Sequence, residues 1–205
     1  MRWVVFCWSS SDRPPEGLRE DDVIVCADSG LVYARRCGLS PSVVLGDFDS
    51  YQGTLPTGAE LIRLPAEKDD TDTMFAVRLG LERGVDEFLI AGGIGGRLDH
   101  TLGAVQTLNY IVSHGASAAM SDGVQYIEVL DGPAEKTYRT DDSKYFSLIA
   151  LSPRVEGITL RGFKYSLTDG ELTYDYPLGV SNELCSPVAS LSFSKGRLAV
   201  LRTRD

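Results

Sequence analysis

Acidic side chains follow two short apolar runs in the first half of the chain. Asp28 comes directly after the run Val-Cys-Ala at 25–27, while Asp47 and Asp49 follow the apolar run at 43–46. Alternate residues of an extended segment point to the same side, so Asp47 and Asp49 share one face. Two such carboxylates repel each other unless a cation lies between them, and an oxygen-only pair suits a hard ion such as Mg²⁺. Taken alone, this pair leaves two interpretations open: a metal site, or a solvated turn with a capping aspartate.

The segment at 68–72, Lys-Asp-Asp-Thr-Asp, precedes a predicted helix. Asp and Thr are favoured as helix N-caps and near the positive end of the helix dipole, so capping explains one or two of these residues. The segment holds more polar groups than capping needs. Lys68 can hold a phosphate as a point charge, and Asp72 can complete a metal site.

A glycine-rich turn at 92–96 lies between an apolar run and a second predicted helix, and Arg97, Asp99 and His100 follow it. Glycines allow close approach of the backbone, a helix N-terminus offers N–H groups to a phosphate, and Arg97 adds a planar fork of donors. The spacing is neither that of the P-loop nor that of the dinucleotide fingerprint. Asp99 can also be a first-turn acid, and His100 is interpreted as a local hydrogen-bond partner.

These residues must be positioned by elements that alternate between strand and helix in residues 1–122. The predicted strands cover 3–8, 23–27, 43–46, 60–64, 88–91 and 117–120, and the predicted helices cover 31–37, 71–83 and 98–113. This alternation predicts an α/β domain with a mostly parallel, doubly wound sheet. Ligands bind outside the carboxyl ends of the strands in such sheets, so the acids and the glycine turn are expected at one edge.

Helical periodicity also predicts which side chains share a stripe on the second and third helices. The residues predicted to share these stripes are Met74, Val77 and Leu81 on one helix, and Leu98, Leu102, Val105 and Val112 on the next.

Residues 123–205 lack a strong helical pattern and are rich in β-forming runs, at 125–130, 145–151 and 157–160. Asp169-Gly170 predicts a hairpin that joins 165–167 to 172–174, and Lys195-Gly196 predicts one that joins 191–193 to 198–201. We therefore expect a smaller, all-β antiparallel sandwich or barrel here.

The amino-acid composition argues against several functional classes. The 205 residues carry a formal net charge of −9 and are 43% hydrophobic, which argues against disorder and against sequence-independent binding to nucleic acid or an anionic membrane. No apolar run approaches the ~20 residues of a membrane helix, and the N-terminal run is predicted to be a strand rather than a signal peptide. The four cysteines show no CxxC spacing, which favours reduced thiols and a cytoplasmic protein.

As a set, the segments at 27–30, 46–50, 68–72 and 92–100 resemble the thiamine pyrophosphokinase family in order and spacing. In the second half, Gly-Phe-Lys-Tyr-Ser-Leu at 162–167, Gly-Val-Ser-Asn-Glu at 179–183 and the closing strand after Gly196 look like that family's thiamine-binding β domain. The resemblance covers nearly the whole chain. The family usually carries a second glycine where this chain has Ser29.

This resemblance implies transfer of the diphosphoryl group of ATP to the hydroxyl of thiamine, with Mg²⁺, giving thiamine diphosphate and AMP. It implies a nucleotide- and metal-binding domain at 1–122 and a thiamine-binding domain at 123–205. The implied catalytic residues are Asp47, Asp49, Asp72, Arg97 and Asp99, of which the first three would hold Mg²⁺. The implied ATP-binding residues are Asp28, Ser29, Lys68, Thr71, Gly93, Gly95, Gly96, Arg97 and His100, and the implied thiamine-binding residues are Ser181 and Asn182. It also implies a homodimer with the active site between subunits.

Two other functions stay open at this stage. One is a related pyrophosphokinase for another hydroxymethyl heterocycle, such as a pterin, although such an enzyme need not keep the Gly-Val-Ser-Asn segment at 179–182. The other is a nucleotide- or thiamine-binding sensor without turnover, although a sensor could lose the acids and Arg97 freely.

Overall fold

A computed structural model describes residues 1–48, 53–65 and 69–204, which form two compact units, 1–123 and 124–205. The elements of the first unit are β1 (Arg2–Phe6), β2 (Val23–Ala27), α1 (Gly30–Arg36), β3 (Val43–Gly46), β4 (Glu60–Arg63), α2 (Asp72–Glu82), β5 (Glu87–Ala91), α3 (Leu98–Ser113) and β6 (Ser117–Ser121). Those of the second are β7 (Gln125–Asp131), β8 (Ala134–Arg139), β9 (Tyr145–Ala150), β10 (Arg154–Arg161), β11 (Leu167–Thr173), β12 (Val188–Phe193) and β13 (Arg197–Thr203).

In the first unit, the strands β1 to β6 form a parallel sheet with the order β4-β3-β2-β1-β5-β6. The central strands are apolar and buried, as strands covered on both faces must be. The strand order reverses at β1, which is where open α/β sheets bind ligands. The predicted mostly parallel α/β sheet is thus confirmed.

Helix α2 packs on the sheet through small residues. Ala76, Val77 and Gly80 are buried, whereas Met74 and Leu81 of the predicted stripe are only half-buried. A Cβ at Gly80 would lie 2.7 Å from the Phe88 ring, so the helix backbone approaches the sheet closely. Of the predicted stripe, only Val77 is fully buried, because close approach of the helix backbone rather than side-chain hydrophobicity selects the most buried face.

Helix α3 differs from its predicted stripe in the same way. Leu98 and Leu102 are exposed, with 71% and 57% of their surface accessible. Val112 is buried as expected. The buried residues of α3 are Ala104, Thr107, Leu108, Ile111 and Val112. The packed face is thus rotated away from Leu98 and Leu102, since the helix rests on the sheet through its second half.

The second unit confirms the predicted antiparallel β structure. One sheet has the order β7-β13-β9 and the other has β11-β10-β12-β8. Side chains of both sheets share one hydrophobic core, in which the Phe146 ring lies 4.8 Å from Tyr138 and 4.7 Å from Phe163. This shared core makes the second unit a β-sandwich.

Both predicted hairpins of the second unit were wrong. Asp169 and Gly170 lie inside β11, where Asp169 has a φ of +50° and the pairing with β10 shifts register. Residues that favour turns also occur at irregularities of this kind, where the strand bends but does not reverse its direction. Lys195-Gly196 does join β12 to β13, but these strands belong to different sheets, so the turn crosses the sandwich instead of closing a hairpin.

The four cysteines are free thiols, as predicted, and Cys7 and Cys26 are buried. Burial raises the pKa of both thiols to about 12. Over the described ranges, no helix has both the length and the apolar character needed to cross a membrane.

Candidate active site

Asp28 lies at the carboxyl end of β2 and is hydrogen-bonded to the neighbouring strand β3. Its backbone N–H donates to the Leu45 carbonyl at 2.8 Å, and its φ is +47°. A Cβ at Gly46 would lie 3.3 Å from the Asp28 Cα, so the ends of β2 and β3 touch. Ser29 follows as the N-cap of α1, without a side-chain capping bond. This contact brings the positions of Asp28 and Asp47 to one edge.

Asp47 follows β3 directly and is half-buried, whereas Asp49 lies outside the described residues. Between them, Phe48 has a φ of +60°. The Arg63 guanidinium at the end of β4 lies 5.6 Å from the Phe48 ring centroid, a cation–π contact. Phe48 is thus held over the end of β4, and Asp47 lies between Phe48 and the last residue of β3.

The beginning of α2 reaches the same edge. Its first residue is Asp72, and the Thr73 side chain partly offsets the burial that raises the pKa of the thiol of Cys7, the residue after β1. The helix packs across β1, β2 and β3. Asp72 therefore lies at the start of α2, at the carboxyl edge of the sheet, while Lys68 lies outside the described residues.

Thr71 is the N-cap of α2. Its hydroxyl oxygen accepts a hydrogen bond from the Met74 N–H at 3.1 Å, and its backbone is extended. This bond satisfies one of the N–H groups that a helix start leaves without an intrahelical partner. The structure thus gives Thr71 a capping role in addition to the predicted role in ATP binding.

We expect Thr71→Ala to lower the free energy of unfolding by about 1 kcal/mol, because the cap is lost, and Thr71→Ser to keep most of it. Urea unfolding of the two variants checks this. Equal stability of Thr71→Ala and the wild type would contradict the capping role.

The glycine turn connects β5 to α3 beside the end of β1. Gly93 donates its N–H to the Trp8 carbonyl at 2.9 Å, and Gly92 donates to the Ser121 carbonyl at 2.9 Å. Gly96 has a φ of +65°, and a Cβ there would lie 2.7 Å from the Trp8 ring. Gly95 also lies in this turn. Glycine is required at 96 because an L residue rarely adopts this positive φ, and because its Cβ would clash with the Trp8 ring.

Arg97 caps α3, and its guanidinium forms a two-point ion pair with Asp99. Nη2 and Nε of Arg97 donate to the two carboxylate oxygens at 2.6 Å and 3.2 Å. The pair lowers the pKa of Asp99 and raises that of Arg97. The His100 N–H donates to Asp99 as well, at 3.0 Å. Because both side chains are largely exposed, water screens the pair, and an arriving phosphate can compete for Arg97.

Left-handed backbone marks several of these positions. Among the described non-glycine residues, φ is positive at Asp28, Phe48, Asp169 and Ser181. Asp169 lies where the pairing of β11 with β10 shifts register. The other three lie in segments that the sequence predicts to be part of the site. Such conformations are costly for side chains with a Cβ, and they cluster at functional sites.

In the second unit, Ser181 and Asn182 lie in a segment that pairs with β9. The Ser181 N–H donates to the Ser147 hydroxyl at 2.9 Å. Asn182 is buried, and its amide bonds the backbone of Tyr165 in both directions, at 3.0 Å and 2.9 Å. The Asn182 side chain thus fastens the turn at Tyr165 next to Ser181.

A cavity of about 150 Å³ borders the same segment. Its lining is mostly apolar and aromatic, and includes Leu172, Tyr176 and Val180. Such a lining suits an uncharged ring better than a phosphate.

Comparisons with known proteins show the family of this chain. Residues 16–120 match the family description "Thiamin pyrophosphokinase, catalytic domain", and residues 136–198 match "Thiamin pyrophosphokinase, vitamin B1 binding domain". The chain is 33% identical over 192 residues to thiamine pyrophosphokinase of Bacillus subtilis (strain 168), covering 91% of this chain and 89% of that protein. The chain belongs to the thiamin pyrophosphokinase family.

Solved structures support this membership of the thiamin pyrophosphokinase family. The crystal structure of thiamine pyrophosphokinase from Bacillus subtilis superposes with a TM-score of 0.88 at 29% identity, covering both chains completely. That of thiamin pyrophosphokinase from Geobacillus thermodenitrificans has a TM-score of 0.82 at 30% identity, covering 100% of this chain and 98% of that one. Thiamin pyrophosphokinase from Candida albicans, at 15% identity and a TM-score of 0.71, shares the fold.

For this family member, the structure brings most predicted residues of the first unit to one edge of the sheet. Asp28, Asp47 and the start of α2 lie on one side of β1, and the glycine turn with Arg97 lies on the other. Within residues 1–48, 53–65 and 69–204, no three His, Cys, Asp or Glu side chains form a ready metal-binding group. The predicted metal set includes Asp49, which lies outside those ranges, so that set stays a prediction.

The apolar run at 3–8 predicts a first strand that includes Trp8, but β1 ends at Phe6. Trp8 therefore belongs to the loop at the carboxyl edge, beside the glycine turn, and 45% of its surface is exposed. The signal that could have revealed this is the polar run Ser-Ser-Ser-Asp at 9–12, which ends the apolar segment immediately after Trp8.

Proposed function

We propose that this chain transfers the diphosphoryl group of ATP to the hydroxyl of thiamine, giving thiamine diphosphate and AMP, with Mg²⁺. The observation that carries the proposal is the convergence of carboxylates, a glycine turn and Arg97 at one edge of the sheet. The match of residues 136–198 to a vitamin B1 binding domain favours thiamine over a pterin as the acceptor.

The proposed donor set fits Mg²⁺. Every proposed ligand, Asp47, Asp49 and Asp72, offers carboxylate oxygens, which are the ligands this ion prefers. A side chain at Gly46 would crowd the Cα of Asp28 at 3.3 Å, so a glycine here lets the ends of β2 and β3 lie close together. When bound, Mg²⁺ would screen the charge of the phosphates.

The residues proposed to bind phosphate lie on the other side of β1. The glycine turn and the first turn of α3 present backbone N–H groups, which suit a phosphate group. Arg97 adds a planar cation that can meet two phosphate oxygens and stabilise the charge that develops during transfer. Lys68, Ser29, Thr71 and His100 complete the proposed ATP-binding set.

In the reaction, the thiamine hydroxyl oxygen attacks the β-phosphorus, and the bond from that phosphorus to the oxygen of the α-phosphate breaks. AMP leaves with the electron pair, and the proton of the thiamine hydroxyl is released to solvent. We propose that Asp99 is a positioning residue. Both of its carboxylate oxygens accept hydrogen bonds from the Arg97 guanidinium and so orient it before phosphate binds. Asn182 likewise positions the segment that carries Ser181.

The proposal includes a homodimer with the active site at the subunit interface and a cytoplasmic location. Light scattering of the purified chain measures the first, and a monomer that turns over at the full rate would contradict it. The free thiols of all four cysteines support the second.

One assay tests the reaction directly. Purified protein is incubated with Mg²⁺, ATP and thiamine, and the nucleotide product is resolved by chromatography. We expect AMP and thiamine diphosphate in equal amounts, and no AMP when thiamine is replaced by a hydroxymethylpterin. ADP in place of AMP would contradict diphosphoryl transfer.

Ser181 gives a prediction about thiamine specificity. We expect Ser181→Ala to raise the KM for thiamine more than that for ATP, since the hydroxyl would contact the thiamine ring. Ser181 has a φ of +62°, so Ser181→Gly is the matched variant that removes the hydroxyl and relieves the backbone. Equal rises of both KM values in either variant would indicate general damage instead.

A further inference from the structure

Trp8 is an exposed aromatic side chain at the point where the sheet reverses its strand order. It follows β1, and its carbonyl oxygen accepts the N–H of Gly93 in the turn after β5. The crevice outside the ends of these two adjacent strands is where sheets of this order bind ligands. The backbone of Trp8 is thereby fixed to the turn that would meet the phosphates.

The indole is held against the glycine turn. A Cβ at Gly96 would lie 2.7 Å from the Cη2 and Cζ3 atoms of the ring, so the ring occupies the space that a side chain at 96 would take. Even so, 45% of Trp8 stays exposed. The rest of the indole therefore offers apolar aromatic surface to a ligand at this edge.

We propose that the Trp8 indole stacks on the base of the donor nucleotide. This inference rests on the proposed function, in which the same turn and Arg97 hold the phosphates. A nucleotide joins a charged phosphate chain to a flat heteroaromatic ring, and an indole beside a phosphate-binding turn matches that pair of groups. Thiamine also carries aromatic rings, but the vitamin B1 binding match lies in the other unit, at 136–198, while Trp8 lies in the first.

The test compares ATP with inorganic triphosphate, which has the phosphates but no base, by calorimetry in the presence of Mg²⁺. We expect Trp8→Ala to weaken ATP binding about 10-fold or more, from the usual strength of base–aromatic stacking, and to leave triphosphate binding unchanged. Trp8→Phe keeps an aromatic ring and should lose less. Leu61→Ala, which truncates an exposed apolar side chain on β4, is the matched control and should bind ATP normally.

Fluorescence gives a second readout, because the chain has two tryptophans and Trp3 is buried. ATP should change the emission of the wild type but not that of Trp8→Phe. Unchanged ATP affinity in Trp8→Ala, an equal loss for triphosphate, or a selective loss of thiamine binding would each overturn the proposal.

These outcomes separate the two proposals. If ATP binding depends on Trp8 but no AMP forms with thiamine, the proposed function fails and the stacking role stands. If the wild type forms AMP with thiamine and Trp8→Ala binds ATP as tightly as the wild type does, the stacking role fails and the proposed function stands.

Discussion

Asp47→Asn should lower the rate of diphosphoryl transfer by about 10³-fold or more while leaving the fold intact. The carboxylate would be a Mg²⁺ ligand, and a bound metal contributes several kcal/mol of charge stabilisation in phosphoryl chemistry. The amide of Asn has nearly the same shape but no charge, so the half-buried position after β3 stays filled. The rate of AMP release at saturating ATP and thiamine measures the effect.

The matched control is Asp21→Asn. Asp21 is exposed and precedes β2, so it lies at the opposite end of the strand that leads to Asp28. We expect wild-type activity from this variant, and the same thermal unfolding curve for both. Mg²⁺ titration in the presence of ATP should show weaker metal binding only for Asp47→Asn. Full turnover by Asp47→Asn would remove the metal role of this residue.

Arg97→Ala has the second largest expected effect, a loss of about 10²–10³-fold in turnover, as found when a preorganised donor to the reacting group is removed. The guanidinium is the N-cap side chain of α3 but makes no capping bond, so its removal should cost the helix little. Arg97→Lys keeps the charge and loses the planar fork. We expect this variant to recover only part of the rate.

Arg83 provides the control for this experiment. It forms an equivalent two-point pair with Glu60, at 2.8 Å and 2.7 Å, but at the C-terminal end of α2. Arg83→Ala should leave turnover unchanged, which separates a phosphate role from the general loss of an exposed ion pair. If Arg97→Ala also kept the wild-type rate, Arg97 would have only a structural role.

We expect a smaller effect on turnover for Asp99→Asn, because Asp99 contacts Arg97. The amide would hold the Arg97 fork less firmly, so the rate should fall less than in Arg97→Ala. A loss larger than that of Arg97→Ala would indicate that Asp99 acts on the substrate itself, rather than through Arg97.

Much of the parallel sheet could be predicted from the sequence because its strands are short apolar runs separated by helical periods. β2 and β3 begin and end at the predicted residues. The faces of α2 and α3 could not be predicted, since they depend on backbone approach at Gly80 and on where α3 meets the sheet. Hydropathy ranks side chains but carries no information about the distance between elements.

The β-sandwich shows the same division. The strands on both sides of Lys195-Gly196 were predicted, but their assignment to different sheets was not. Local turn chemistry is alike for a hairpin, a bulge and a crossing between sheets, and only long-range pairing distinguishes them.

The kinds of residue and their order along the chain were sufficient to identify the family. They also predict that the aspartates, the glycine turn and Arg97 form the site, because parallel strands bring their carboxyl ends to one edge. The partners of those residues came only from the folded chain. The pairing of Arg97 with Asp99, the capping role of Thr71 and the position of Trp8 over Gly96 depend on side-chain contacts within a few ångströms. Contacts on this scale follow from packing in three dimensions, which the spacing of residues along a chain does not encode.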